Sequence, residues 1–219
     1  MIDFVHIPKN AGTSMKELCI PNLPSSFLSY HGHSADPLAL KGEQLIILRE
    51  PKDRFCSAVR YSLSYMKNDS DGDVDKFYEF EEKDLLDPST WAEALADTNH
   101  LHHELVCSEV KNVSHKVGNI HLDDKWTYAS QFIWLNRCCC PRVALFHELS
   151  GDLQYLFDSV NNSVEFNIPH ENAVPSIGNN DLSSIAHEYL NDKYQEDIVI
   201  FNKYNTLHRT TRMSCQKSS

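Results

Sequence analysis

IDFVHIPKNAGTS, residues 2–14, carries the strongest fold signal in the chain. Its first six residues (IDFVHI, 2–7) form a short apolar run of the kind that becomes a buried strand. Pro8 ends the run, small residues follow, and a helix is expected to begin near Thr13. QLIIL at 44–48 is richer in branched apolar residues and reads as a strand of a parallel sheet, buried on both faces. FLSY (27–30) and VALF (143–146) are two further candidate strands. Helical signals lie between and after them. Over 54–66, Phe55, Val59, Leu63 and Met66 share one face. Over 91–106, Ser89 or Thr90 is the expected cap, with Glu93 completing a capping box on Thr90. Further helices are expected over 151–160 and over 181–194, the latter capped by Asp181. Residues 67–75 read as an acidic loop, and 111–125 give no clear signal. Strands alternating with helices imply an α/β fold with a mainly parallel sheet flanked by helices.

A chain of 219 residues fits one domain over 1–219, large enough for a sizeable core. With 41% apolar and 23% charged residues it has the balance of a folded chain rather than a disordered one. No apolar run approaches the ~18 residues of a membrane span. The opening MIDFVHIPKN lacks a signal peptide's basic flank and apolar stretch, so a soluble protein is expected. Net charge is −11, and 15 of the 31 acidic side chains lie within 67–124. That balance argues against nucleic acid as a partner, because phosphate backbones require clustered Lys and Arg. Any anion must therefore meet a local site. The 7 cysteines are odd in number and three are consecutive (Cys138, Cys139, Cys140), so no disulfide framework follows. Reduced thiols and a cytoplasmic setting are expected. Sequons starting at Asn68, Asn112 and Asn161 leave a secretory lumen open.

HIPKNAGTS (6–14) has the chemistry of an anion cradle. Ala11, Gly12, Thr13 and Ser14 are small enough to let backbone N–H groups approach a phosphate, Lys9 adds a full charge, and Thr13 and Ser14 add hydroxyls. The Walker form is excluded, since Lys9 precedes Gly12 instead of following a glycine. A plain strand-to-helix turn with a surface lysine is the bland alternative. The stretch resembles the 5′-phosphosulfate loop of sulfotransferases that use 3′-phosphoadenosine 5′-phosphosulfate (PAPS), typically HIPKTGGTS or HIPKTAGTS, with Asn10 where threonine is usual. LREPKDRFCSAVRY (48–61) resembles the 3′-phosphate segment of the same family, with Arg49 and Ser57 on its two phosphate-binding positions and Glu50 replacing aspartate. Arg49 at a strand end can fork onto a phosphate, and Ser57 in the next helix donates a hydroxyl. For Arg54 a structural ion pair competes with ligand contact.

YHGH (30–33) lies between these motifs and matches a segment of heparan and uronyl 2-O-sulfotransferases, where the histidines are implicated as catalytic base and support. A hydroxyl acceptor loses a proton during transfer, and imidazole accepts one near neutral pH. His33 is favoured as base with His31 supporting, although the order is reversible; a histidine pair without a role is the alternative. KWTYASQFIWL (125–135), FHELSGDLQYLF (146–157), IPHENAVPS (168–176) and YQEDIVIFNKY (194–204) echo later family segments in the right order.

The resemblance thus spans residues 2 to about 204. It leaves 67–124 least covered, as a segment shaping acceptor choice, and a tail after about 205. It implies a three-layer P-loop-like fold, PAPS as co-substrate, and a hydroxyl-bearing acceptor, carbohydrate or small molecule, with cofactor contacts from Lys9, Asn10, Ala11, Gly12, Thr13, Ser14, Arg49 and Ser57. The related carbohydrate enzymes place it in the Golgi lumen if an anchor precedes residue 1. Low net basicity favours a neutral sugar or small hydroxylated metabolite over a sulfated polymer. No metal is expected: His100, His102, His103, His115 and His121 suggest zinc, but the adjacent cysteines fit no ligand spacing. A Gly-x-Ser-x-Gly elbow is absent. A kinase-like phosphoryl transferase and a catalytically silent nucleotide- or glycan-binding module are the rival functions.

Overall fold

The structure, a computed structural model, describes residues 1–24, 27–68, 74–111, 114–139, 141–158 and 181–216. Among them the strands are β1 (Ile2–Val5), β2 (Leu28–His31), β3 (Glu43–Leu48), a short antiparallel pair β4 (Lys116–Val117) and β5 (Ile120–His121), and β6 (Pro141–Leu145). β2, β1, β3 and β6 stand side by side in that order, every pairing parallel. The helices are α1 (Gly12–Ser14), α2 (Pro51–Asn68), α3 (Val74–Glu82), α4 (Pro88–Ala96), α5 (His103–Val110), α6 (Phe132–Leu135), α7 (Leu149–Asp158), α8 (Ser184–Lys193) and α9 (Gln195–Gln216). α1 is one α turn that continues as a π turn (Met15–Cys19) and a 3-10 turn (Ile20–Asn22).

β1 and β3 read as apolar runs because both of their faces are covered. Ile2, Phe4, Leu45 and Ile47 pack on one side against Met15 and Cys19 of the segment after β1 and against Leu149 and Leu153 of α7. Val5, Ile7, Ile46 and Leu48 pack on the other side against Trp134 and Leu135 of α6 and Phe201 of α9. A third cluster is mostly helical: Phe55, Val59 and Leu63 of α2 share it with Phe80, Trp91, Val106 and Leu190. Most of the acidic segment folds into this cluster. Buried Glu109 accepts from Lys76 and Lys125, each at 2.8 Å, which offsets part of the local charge excess.

The expected strands stand within two residues of their observed bounds. The helix expected over 91–106 is instead two, α4 and α5, because Asp97 ends α4 and its side chain accepts from the Asn99 N–H at 2.9 Å. Asp87 caps α4, ahead of the expected Ser89 or Thr90, since Pro88 at the first helical position suits the missing N–H. Ser183 caps α8 in place of Asp181. α9 runs on to Gln216, where a tail was expected from about 205. The expected helix over 151–160 is α7, whose last two expected residues lie outside the described set. IPHENAVPS (168–176), most of the acidic loop and the sequon residues Asn112 and Asn161 also lie outside it. Among the described residues no helix is long and apolar enough to cross a membrane.

Candidate functional site

The carboxyl ends of the parallel strands β1, β2, β3 and β6 point to one side of the sheet, where open α/β sheets bind ligands. The loop after β1 is held in an unusual shape. Lys9 and Ala11 both adopt left-handed backbone, with φ of 66° and 59°, a conformation costing about 1–2 kcal/mol for a residue with a side chain. Polar anchors compensate. Fully buried Arg54 donates from Nε to the Pro8 carbonyl at 2.9 Å, from Nη1 to the Ala129 carbonyl at 2.8 Å and from Nη2 to the Trp126 carbonyl at 3.1 Å. Among the described residues no carboxylate forms an ion pair with it and it does not line the cavity; it is a clamp on backbone carbonyls. Asn10 also turns inward, its Nδ2 donating to the Ile47 carbonyl at 2.7 Å and to Gln131 Oε1 at 2.5 Å. Gln131 in turn bonds both backbone groups of Arg49, accepting at 3.1 Å and donating at 2.9 Å. One buried amide therefore ties the loop after β1 to the end of β3. Asp197 holds Gln131 by accepting from its N–H at 2.9 Å.

Above these anchors lies a cavity of about 600 Å³ lined by Lys9, Ala11, Gly12, Thr13, Ser14, Arg49, Ser57 and His33. That size falls within the roughly 300–1,000 Å³ of small-molecule sites. His6, Arg60, Tyr61, Thr127 and residues 146–151 complete the wall. The N–H groups of Gly12 and Thr13 belong to the first turn, which has no acceptor within its own helix. Gly12 is required by its neighbour: a Cβ there would stand 1.6 Å from His6 Nε2. Arg49 lies over the Phe146 ring at 4.2 Å, donates to Asp53 at 2.6 Å and to the Lys9 carbonyl at 3.2 Å. Burial, with Arg49 and Arg54 adding to it, brings Lys9 down to about 8. At neutral pH it is mostly charged.

No family model, curated protein or solved structure matches the chain. Its chemistry must be read from its own residues. His33 is brought to the cavity and His31 is not. His31 is aligned with Val5 in the register and bonds Asp3 at 2.8 Å, on the β2 face opposite Tyr30. The imidazole beside His33 is His6, with ring centroids 4.2 Å apart, and His6 Nδ1 meets the Tyr30 hydroxyl at 2.6 Å. Burial, then Arg54 and His115, lower His33 to about 4, while burial, then His33, Lys9 and Lys16, lower His6 to about 3. Both rings are neutral at pH 7. His33 Nε2 is buried with no hydrogen-bond partner among the described residues. In the tautomer that leaves Nε2 without a proton, that nitrogen can accept one.

The sequence pattern passed over His6, Arg60, Tyr61 and Thr127 as cavity residues. Arg60 and Tyr61 follow Ser57 by three and four positions, the spacing that puts them on the same helix face. His6 gave no comparable signal, since its role depends on His33 arriving from another loop. Among the described residues no group of three or more His, Cys, Asp or Glu is arranged to hold a metal. His103 Nδ1 meets the Ala94 carbonyl at 2.7 Å, fixing α5 against α4. Cys19, Cys56, Cys107, Cys138 and Cys139 are free thiols.

Proposed function

We propose that the chain is a PAPS-dependent sulfotransferase of three-layer, P-loop-like fold, moving a sulfuryl group onto a hydroxyl of a neutral sugar or small hydroxylated metabolite. The observation that carries this reading is a shared wall: Lys9 with the 11–14 turn, the pair Arg49 and Ser57, and neutral His33 all line one cavity. Two separated anion-binding groups suit a nucleotide with phosphates at both the 5′ and 3′ ends. A plain ATP site needs only one. Lys9, Thr13 and Ser14 would hold the 5′-phosphosulfate, and Arg49 and Ser57 the 3′-phosphate, with Arg60 adding a guanidinium one turn along α2.

His33 takes the acceptor's proton as the acceptor oxygen bonds to sulfur. The bond from sulfur to the bridging phosphate oxygen breaks, its electron pair staying on that oxygen. Lys9 stabilises the charge gathering there, an interaction stronger in the transition state than in the ground state. The products are a sulfate ester and adenosine 3′,5′-bisphosphate. Arg54, Asn10 and Gln131 hold the loop in place without touching the reactants.

Incubation with PAPS and a panel of hydroxyl acceptors should yield adenosine 3′,5′-bisphosphate together with a sulfated acceptor, and PAPS but not ATP should raise the melting temperature. Protection by ATP alone would favour a kinase-like phosphoryl transferase. Protection by PAPS without turnover on any acceptor would leave a silent binding module.

A further inference from the structure

Lys9 and Tyr61 meet at the cavity wall, one from the loop after β1 and the other from α2. Lys9 Nζ stands 4.1 Å from the centroid of the Tyr61 ring, inside the ~6 Å within which a π face attracts an ammonium. No carboxylate among the described residues pairs with this ammonium. Its charged surroundings are mostly of its own sign. Arg49 touches the Lys9 carbonyl, Arg54 lies beneath the neighbouring Pro8, and Arg60 lines the same cavity. Glu148 is the acidic member of that wall, and His6, His33 and His147 are its imidazoles, the first two neutral.

We propose that Tyr61 is the positioning residue of Lys9, its ring face holding the ammonium in the cavity without neutralising it. A carboxylate in that place would pair with Lys9 and compete with every incoming anion. An aromatic face attracts the cation through its quadrupole and carries no net charge, so the full positive charge stays available. Tyr65, stacked on Tyr61 with centroids 6.4 Å apart and planes at 30°, backs the ring one turn further along α2. The phenolic hydroxyl takes no part in the contact, so phenylalanine should serve as well. This role concerns the anion site whatever group is transferred; only its kinetic consequence rests on the sulfotransferase reading.

The test uses protein carrying ¹³C-labelled lysine, titrated without ligand, with the Lys9 Cε signal assigned by its loss in Lys9→Ala. The wild type and Tyr61→Phe should titrate near the same pH, about 8. Tyr61→Leu keeps an apolar side chain without a π face and should titrate about one pH unit lower, the size expected of a partly desolvated cation–π contact. Tyr61→Trp, with a stronger face, should titrate higher. The order Trp, then Tyr and Phe, then Leu supports the proposal, and if the leucine variant fails to fold the order of the other three decides. A midpoint that ignores the residue at 61 overturns it. In turnover of PAPS, Tyr61→Leu should lose roughly 10-fold at about pH 9, above both midpoints, and only about 2-fold at neutral pH, and Tyr61→Phe should restore the rate. Should the titration order hold while the wild type turns over no PAPS, the sulfotransferase reading falls and the positioning role stands.

Discussion

Two loops at the same edge of the sheet each carry a glycine among polar residues, and the structure treats them in opposite ways. Around Gly12 the chain is over-determined: positive φ at Lys9 and Ala11, Asn10 and Arg54 bonded to buried groups, and the His6 ring where a Cβ would stand. Around Gly32 a Cβ would meet nothing within 4 Å. The first loop is held by side-chain bonds to its own backbone and to the strand beside it. The second delivers a single ring, His33, whose packing against His6 and Trp126 fixes it from outside the loop. One loop is fixed through its main chain, the other through a single side chain.

The sharpest test removes the ring that the second loop delivers. His33→Ala should lower PAPS turnover by roughly 10²- to 10⁴-fold while adenosine 3′,5′-bisphosphate still binds, and His31→Ala should cost less than 10-fold, being bonded to Asp3. Equal losses would return His31 to the mechanism. The pH dependence sharpens the same point. His33 accepts a proton only above its lowered value of about 4, and Lys9 keeps its charge only below about 8. The profile of kcat/KM should therefore rise through about 4, stay level, and fall above about 8. An acid limb near 6.5, the ordinary imidazole value, would mean that the base is not a buried His33.

Next in size is the clamp under the first loop. Arg54→Met should destabilise the fold by about 3–5 kcal/mol, because three carbonyls lose a charged donor, and thermal unfolding should drop by roughly 6–20 °C. A loss under about 1 kcal/mol would show that the first loop holds itself. Smaller still is the glycine at its centre. Gly12→Ala should cost about 1–3 kcal/mol by overpacking against His6 and weaken adenosine 3′,5′-bisphosphate binding in calorimetry. Adding His6→Ala should recover part of that loss. Gly32→Ala closes the series, expected within about 0.5 kcal/mol of wild type as a change made in open space. A larger effect there would end the contrast between the loops.

The chain's local patterns singled out residues that the fold brings to one cavity wall because each set is contiguous: Lys9 to Ser14 is one turn, and Arg49 and Ser57 belong to one strand-to-helix passage. They missed how α4 and α5 divide, since the Asp97 turn competes with helix only through a local side-chain bond. They also missed the inward direction of Asn10, which a polar residue in a glycine-containing loop does not advertise. Gln131 and Asp197 stood in recognisable segments, yet nothing local said that one amide and one carboxylate would tie β1, β3, α6 and α9 together.

Composition and periodicity by themselves determined an α/β chain with a parallel sheet and a charged, small-residue turn after its first strand, because strand burial and turn chemistry are written in neighbouring residues. Tertiary structure alone decided which histidine faces the cavity. Side chains alternate across a strand, so the one-residue placement of β2 sends His31 to Asp3 and leaves His33, past the strand's end, to be caught between His6 and Trp126. It also decided that Lys9 rests on an aromatic ring and not on a carboxylate, since residues 9 and 61 meet only when α2 packs beside the first loop. Contacts between residues so far apart in sequence follow from packing, and no local pattern encodes them.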